Sequence, residues 1–118
     1  MTDKNVKTKS YDFALKIIEL YRKLPKEKQD FFLSKQLLRS GTAIGAKLET
    51  VSEKDSKKDL FLQLNLSRKD VNETGYLLRL LNDIGYLSKD HFSALIMECD
   101  EIAAALKEMI GKMKKFPL

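Results

Sequence analysis

The chain has 118 residues, 43% hydrophobic and 33% charged, with two prolines and five glycines. That is the composition of one globular domain with a solvated surface and not of a disordered chain, and the few prolines and glycines favour long helices over a turn-rich sheet. The net charge of +5 permits an anionic partner such as RNA or DNA without requiring one. The single cysteine, Cys99, rules out an internal disulfide framework and a multi-cysteine metal site, and suits a reducing compartment. No apolar run approaches the roughly 18 residues of a membrane span, and residues 1–9 lack the apolar stretch of a signal peptide. The cytoplasm is the expected location, with no membrane partner.

Residues 1–9 read as a loose basic arm. Ser10 is a candidate N-cap for a first helix to about Leu24, with Phe13, Ile17, Leu20 and Leu24 as its apolar face. Pro25 stops that helix. A second spans about Lys26 to Ser52, with Leu33, Leu37, Ile44, Leu48 and Val51 on one face and Ser40 in the gap. Gly41 and Gly45 lie on one stripe of it. Each glycine inside a helix costs up to about 1 kcal/mol against alanine, so the pair points either to close approach of a neighbouring helix or to a weak turn. Ser56, with Asp59 three residues on, caps a third helix to Ile84, and Gly85 is the glycine just past its end. Ser88 caps a fourth helix to about Lys114, with Leu95, Cys99, Ile102, Leu106, Met109 and Met113 at alternating four and three spacing, and Pro117 beyond it. Short connections make sequential helices antiparallel neighbours. The expected fold is an all-α, antiparallel up-down four-helix bundle, one domain over residues 1–118.

On a helical wheel the third helix carries two apolar groups. Leu60, Leu64, Val71 and Leu78 fall within about 40° of each other and form the face for the bundle core. Leu62, Leu66, Leu77, Leu80 and Ile84 lie on nearly the opposite side. Left in water they would form a large apolar patch, which predicts an oligomer interface; the alternative is a kinked or more central helix.

No catalytic constellation emerges. His91 is the one histidine and has no second His or Cys at ligand spacing. Cys99 sits on an apolar stripe, as a small buried thiol does. Glu49, Glu53, Glu73, Glu98 and Glu101 lie on three helices, but a di-metal bundle needs a Glu-x-x-His motif from each of two helices, which one His cannot supply. No enzyme activity, metal or cofactor is expected. The basic residues are the better lead: Lys35, Arg39 and Lys47 along the second helix, Lys57, Lys58, Arg68 and Arg79 along the third, and Lys107, Lys112, Lys114 and Lys115 near the end. Each cluster alone is an ordinary solvated face, but repetition by symmetry turns a modest patch into a strong field.

The segment from Gln36 to Glu49 (QLLRSGTAIGAKLE) resembles the second-helix signature of the four-helix-bundle proteins named for the 23S rRNA intervening sequence. Tyr11-Asp12-Phe13-Ala14, Lys58-Asp59-Leu60-Phe61, Lys69-Asp70, Glu73 to Leu78 and Glu98 to Ile102 fit the same pattern in order and spacing, so the resemblance covers about Ser10 to Lys115. The usual Ser and Asn of the second-helix motif are Ala43 and Lys47 here, the usual Trp of the third is Leu77, and the usual Glu after Lys69 is Asp70. The resemblance implies a ring-shaped homo-oligomer, typically a homopentamer. Similar proteins include the accessory protein of diversity-generating retroelements, a basic ring that works with a reverse transcriptase and nucleic acid.

The functional expectation is a non-enzymatic, oligomeric nucleic-acid-binding or nucleoprotein accessory module. Its candidate nucleic-acid contacts are Lys47, Lys58, Arg68 and Arg79, and its candidate interface is Leu62, Leu66, Leu77, Leu80 and Ile84. Arg39 and Glu73, near apolar faces, are as well suited to a buried structural pair as to binding. The alternative is a protein-protein interaction scaffold that binds no nucleic acid.

Overall fold

A computed structural model describes residues 2–26, 28–52 and 54–114. They form four helices: α1 (Thr2–Lys23), α2 (Lys28–Glu49), α3 (Lys57–Asp83) and α4 (Lys89–Met113), with no strand among the described residues. Helix α1 packs on α2 and α4, and α3 on the same two, while the diagonal pairs stay apart. Ser10 of α1 lies against Gly45 of α2, Lys16 of α1 reaches Glu98 of α4, and Ser40 of α2 meets Thr74 of α3. With Ile17 also against Gly41, and Ser67 bonded to Ile44, the paired residues run in opposite order along neighbouring helices, an antiparallel up-down arrangement in a rod of 48 × 23 × 19 Å. No described helix is long and apolar enough to cross a membrane.

The caps follow from local chemistry. Ser56 Oγ accepts the backbone N–H of Asp59 at 3.1 Å, and Ser88 Oγ accepts that of His91 at 3.1 Å, each satisfying an orphan donor of a first turn. At the end of α3 the N–H of Tyr86 bonds the Leu81 carbonyl at 2.9 Å and that of Gly85 bonds Asn82 at 3.1 Å. This is a Schellman motif. It needs a left-handed residue at Gly85, whose φ is +87°.

The expected loose arm is corrected. Helix α1 begins at Thr2, and Val6 is fully buried. Ser10 is not a cap but a buried residue inside the helix. Val6, Ser10, Phe13, Ile17, Leu20 and Leu24 form one continuous stripe, and a small Ser in the second position disguises its first two turns. Ser10 is small because Gly45 is beside it: a Cβ built on Gly45 would stand 3.4 Å from Ser10 Cβ. At Gly41 a Cβ would meet Ile17 at 3.0 Å, so Gly41 marks a close α1–α2 approach rather than a weak turn, while Gly45 makes an ordinary contact. The second helix is shorter than expected at both ends, starting at Lys28 and ending at Glu49.

The core is mostly aliphatic, with Phe13 as its buried aromatic. Phe13, Ile17, Leu37, Ile44, Leu78 and Leu106 are among its fully buried side chains. The α4 stripe is buried from Leu95 to Met109, with Met113 half-buried at its end. The α2–α3 seam is polar by contrast. Ser67 Oγ donates to the Ile44 carbonyl at 3.1 Å, and Thr74 Oγ1 lies 2.9 Å from Ser40 Oγ and 2.7 Å from the Asp70 carbonyl. The Ser40 that interrupts the apolar face of α2 therefore has a partner on α3.

Candidate nucleic-acid interface

Helix α3 carries most of the candidate residues, and its position between α2 and α4 decides their fates. Buried side chains run from Leu77 and Asp70 on the α2 side, through Ser67, Thr74 and Leu78, to Val71 and Leu64. At 100° per residue that arc is about 140° wide, far broader than the 40° stripe of Leu60, Leu64, Val71 and Leu78. Leu77 falls inside it and is 6% exposed, so it belongs to the core and not to an outer face. Leu80 is half-buried and packs against the core. Leu62, Leu66 and Ile84 lie just outside the arc and are 53%, 36% and 50% exposed. The expected interface of five residues is thus a row of three exposed aliphatics edged by Leu80.

The four candidate cations also separate. Lys47 of α2 donates a hydrogen bond to the Asp70 carboxylate of α3. Asp70 is buried and Lys47 half-buried, so this ammonium neutralises a carboxylate within the bundle and is not available to a phosphate. Lys58 stands exposed in the first turn of α3, Arg68 is half-exposed in its middle, and Arg79 is exposed near its end. Arg68 and Arg79 share one side of the helix about 16 Å apart, but Lys58 to Arg79 spans roughly 30 Å. Arg79 lies over the ring of Tyr76, its guanidinium carbon 5.8 Å from the centroid. The set is strung along a helix rather than gathered in one patch.

Arg39 and Glu73 do pair, at 2.7 Å, and Arg39 also donates to Gln36 Oε1 at 3.0 Å. The pair is not buried, however: Arg39 is mostly exposed and Glu73 about one third exposed. It ties α2 to α3 at the surface, where such bridges contribute little. Glu98 binds Lys16 at 2.7 Å, and that hydrogen bond holds the Lys16 ammonium above its ordinary range. Glu49 and Glu101 are exposed on different helices. Glu53, Lys115 and Pro117 lie outside the described residues. Among the described residues no three His, Cys, Asp or Glu converge on a point that would hold a metal. His91 is half-buried in the first turn of α4. Cys99 is buried, bonds the Val71 carbonyl at 3.4 Å, and has its pKa pushed up to about 12 by burial and then by Asp100.

Several exposed apolar side chains escaped the sequence reading. Phe32 and Tyr76 are more than half exposed, as are Tyr11 on α1 and Met97 on α4. The signal was present for Phe32, which falls off the Leu33–Leu37–Ile44–Leu48 stripe. Lysines attend the aromatics at the α1–α2 turn: Lys26 Nζ sits 3.7 Å from the Tyr21 ring centroid and Lys35 Nζ 5.3 Å from that of Phe31. These are cation–π contacts at a surface.

Comparison with known proteins agrees with this architecture. A family model described as "23S rRNA-intervening sequence protein" matches residues 2–108. A crystal structure from Bacteroides thetaiotaomicron, described as a protein with unknown function from the S23 ribosomal protein family, is 38% identical. It superposes with a TM-score of 0.87, covering 94% of this chain and 99% of that one. No curated protein matches the chain.

Proposed function

The chain belongs to the family of 23S rRNA-intervening sequence proteins, and from that premise we propose that it is a non-enzymatic, self-assembling helical module that binds nucleic acid through its basic surface. The observation that carries the proposal is an imbalance of charge. The chain has 22 Lys and Arg against 17 Asp and Glu. Among the described residues Lys58, Arg68 and Arg79 have no carboxylate within ion-pair distance. Unpaired surface cations attract phosphates by releasing counterions, with little regard to sequence. The family description, with its reference to ribosomal RNA, supports the same partner class. Self-assembly is supported by the exposed row of Leu62, Leu66 and Ile84, which a monomer would leave in water, and a ring of five subunits is the form that the family resemblance implies. A cytoplasmic protein would meet RNA, DNA or a nucleic-acid enzyme such as a reverse transcriptase in this role.

The test is binding of the purified protein to short RNA and DNA duplexes over a range of salt, with sedimentation in parallel. The expected result is an oligomer whose log affinity falls linearly with log salt. An oligomer that binds neither nucleic acid at low salt would favour the protein-scaffold reading, and a monomer at tens of micromolar would remove the assembly.

A further inference from the structure

We propose that nucleic acid docks on one end of the bundle, where the start of α1, the α2–α3 connection, the start of α3 and the end of α4 meet, with the groove between Lys57 and Lys112 at its centre. The inference rests on the reading that the protein binds nucleic acid, and it moves the contact from the side of α3 to the end of the rod.

The four elements are joined there by direct observations. Lys7 Nζ of α1 donates to the Val51 carbonyl at 3.4 Å, just past the end of α2. Lys57 and Leu60 from the start of α3 and Lys112 and Met113 from the end of α4 line one open groove of about 260 Å³. Lys54, Lys57, Lys58, Lys112 and Lys114 are all exposed.

Net positive charge is densest at this end. Residues 5–9, 48–52, 54–60 and 107–114, which build it, carry eight Lys against four Asp and Glu. Residues 10–26, 31–47 and 61–106, which hold Lys47 together with its partner Asp70, carry eleven Lys and Arg against nine Asp and Glu over a much longer stretch of chain. Helix dipoles do not account for the difference, because two N-termini and two C-termini meet at the same end and oppose each other. Of the acids present, Asp55 accepts the Ser52 N–H inside the connection at 2.7 Å. Glu108 faces Lys112 at 3.2 Å in a pair about 60% exposed on both sides, which a phosphate can displace with little loss.

The residue type narrows the ligand. Every cation at this end is a lysine, whereas the four arginines, Arg22, Arg39, Arg68 and Arg79, all lie in the rest of the bundle. Lysine acts as a flexible point charge, suited to phosphates rather than to bidentate reading of base edges. The end of the rod, about 23 × 19 Å in section, is wide enough for several successive phosphates rather than one isolated anion. Leu60 and Met113 line the groove together with Lys57 and Lys112, a mixture of apolar and cationic side chains that suits a sugar or base with its phosphates.

The test compares two triple variants that remove the same charge from opposite ends. Lys57→Gln with Lys58→Gln and Lys112→Gln is expected to reduce the log–log salt slope on duplex DNA by about 2–3 and to weaken RNA and DNA binding at low salt. Lys23→Gln with Lys35→Gln and Lys89→Gln is expected to leave both unchanged. Lys57→Arg with Lys58→Arg and Lys112→Arg should retain binding, which separates loss of charge from loss of fold. Equal losses in the two glutamine variants, or wild-type binding by the first, would overturn this docking end while leaving nucleic-acid binding in place. A wild-type protein that binds neither probe would overturn both.

Discussion

The ammonium of Lys47 on α2 is seated on the carboxylate of Asp70 on α3, the one buried carboxylate among the described residues. Removing the cation leaves that carboxylate with no countercharge. Breaking a buried pair costs about 3–5 kcal/mol, and the one-third exposure of Lys47 places this pair toward or below the lower figure. Lys47→Ala should therefore destabilise by roughly 2–3 kcal/mol in urea unfolding. Lys47→Ala with Asp70→Asn should recover part of the loss, because no buried charge remains. A single variant as stable as wild type would refute the assignment.

Arg39 with Glu73 is the contrasting pair. Both groups reach solvent, so Arg39→Ala should cost no more than about 1 kcal/mol, and the loss should shrink further in high salt. A larger, salt-independent loss would show that the pair is effectively buried in the assembled protein.

The two glycines of α2 should respond differently to alanine. At Gly41 the new methyl would press on the buried Ile17 at 3.0 Å, and a β-branched side chain inside a packed core has little room to yield. Gly41→Ala should destabilise by about 1–2 kcal/mol after the gain in helix propensity is counted. At Gly45 the nearest atom is 3.4 Å away, an ordinary contact, so Gly45→Ala should be neutral or stabilise by up to about 1 kcal/mol. Ser10→Ala should also be neutral or stabilising, since the buried Ser10 Oγ has no hydrogen-bond partner among the described residues. Thermal melts of the three variants would decide the order.

Leu66→Glu with Ile84→Glu should leave helicity and melting nearly unchanged for the subunit while producing smaller particles in sedimentation, because neither residue is buried within the bundle. Leu77→Glu should instead unfold the chain, since it would place an unpaired carboxylate in the core. Unchanged particle size in the first variant would move the interface elsewhere.

Cys99 should resist thiol reagents in the native state and react at the rate of opening. Its folded pKa of about 12 lies above the ordinary 9.0, so the folded state retains a proton that the unfolded chain gives up between those values. The contribution to stability is present below pH 9 and is lost as pH rises from 9 toward 12. Cys99→Ala should weaken that decline. Rapid alkylation of folded protein at neutral pH would contradict the buried placement.

The sequence by itself determined the number of helices, three of their boundaries and most of the buried face of α4. Ser56, Gly85 and Ser88 act through hydrogen bonds within a few residues, and the Leu95–Met109 stripe repeats with the helical period, so local pattern suffices for both. Tertiary structure decided what local pattern could not. Ser10 looked like a cap because it is polar, and only the approach of Gly45 shows that a small buried residue was needed there. Leu77 looked outward because the wheel gives a direction but not the width of arc that two neighbouring helices cover. Lys47 looked available because its partner lies 23 residues away in the chain, and a charge counts as free or neutralised only once the facing helix and its register are set. The lysines at one end of the rod were visible as scattered clusters. Their gathering on one surface is a consequence of antiparallel topology, which brings the start of one helix beside the end of the next.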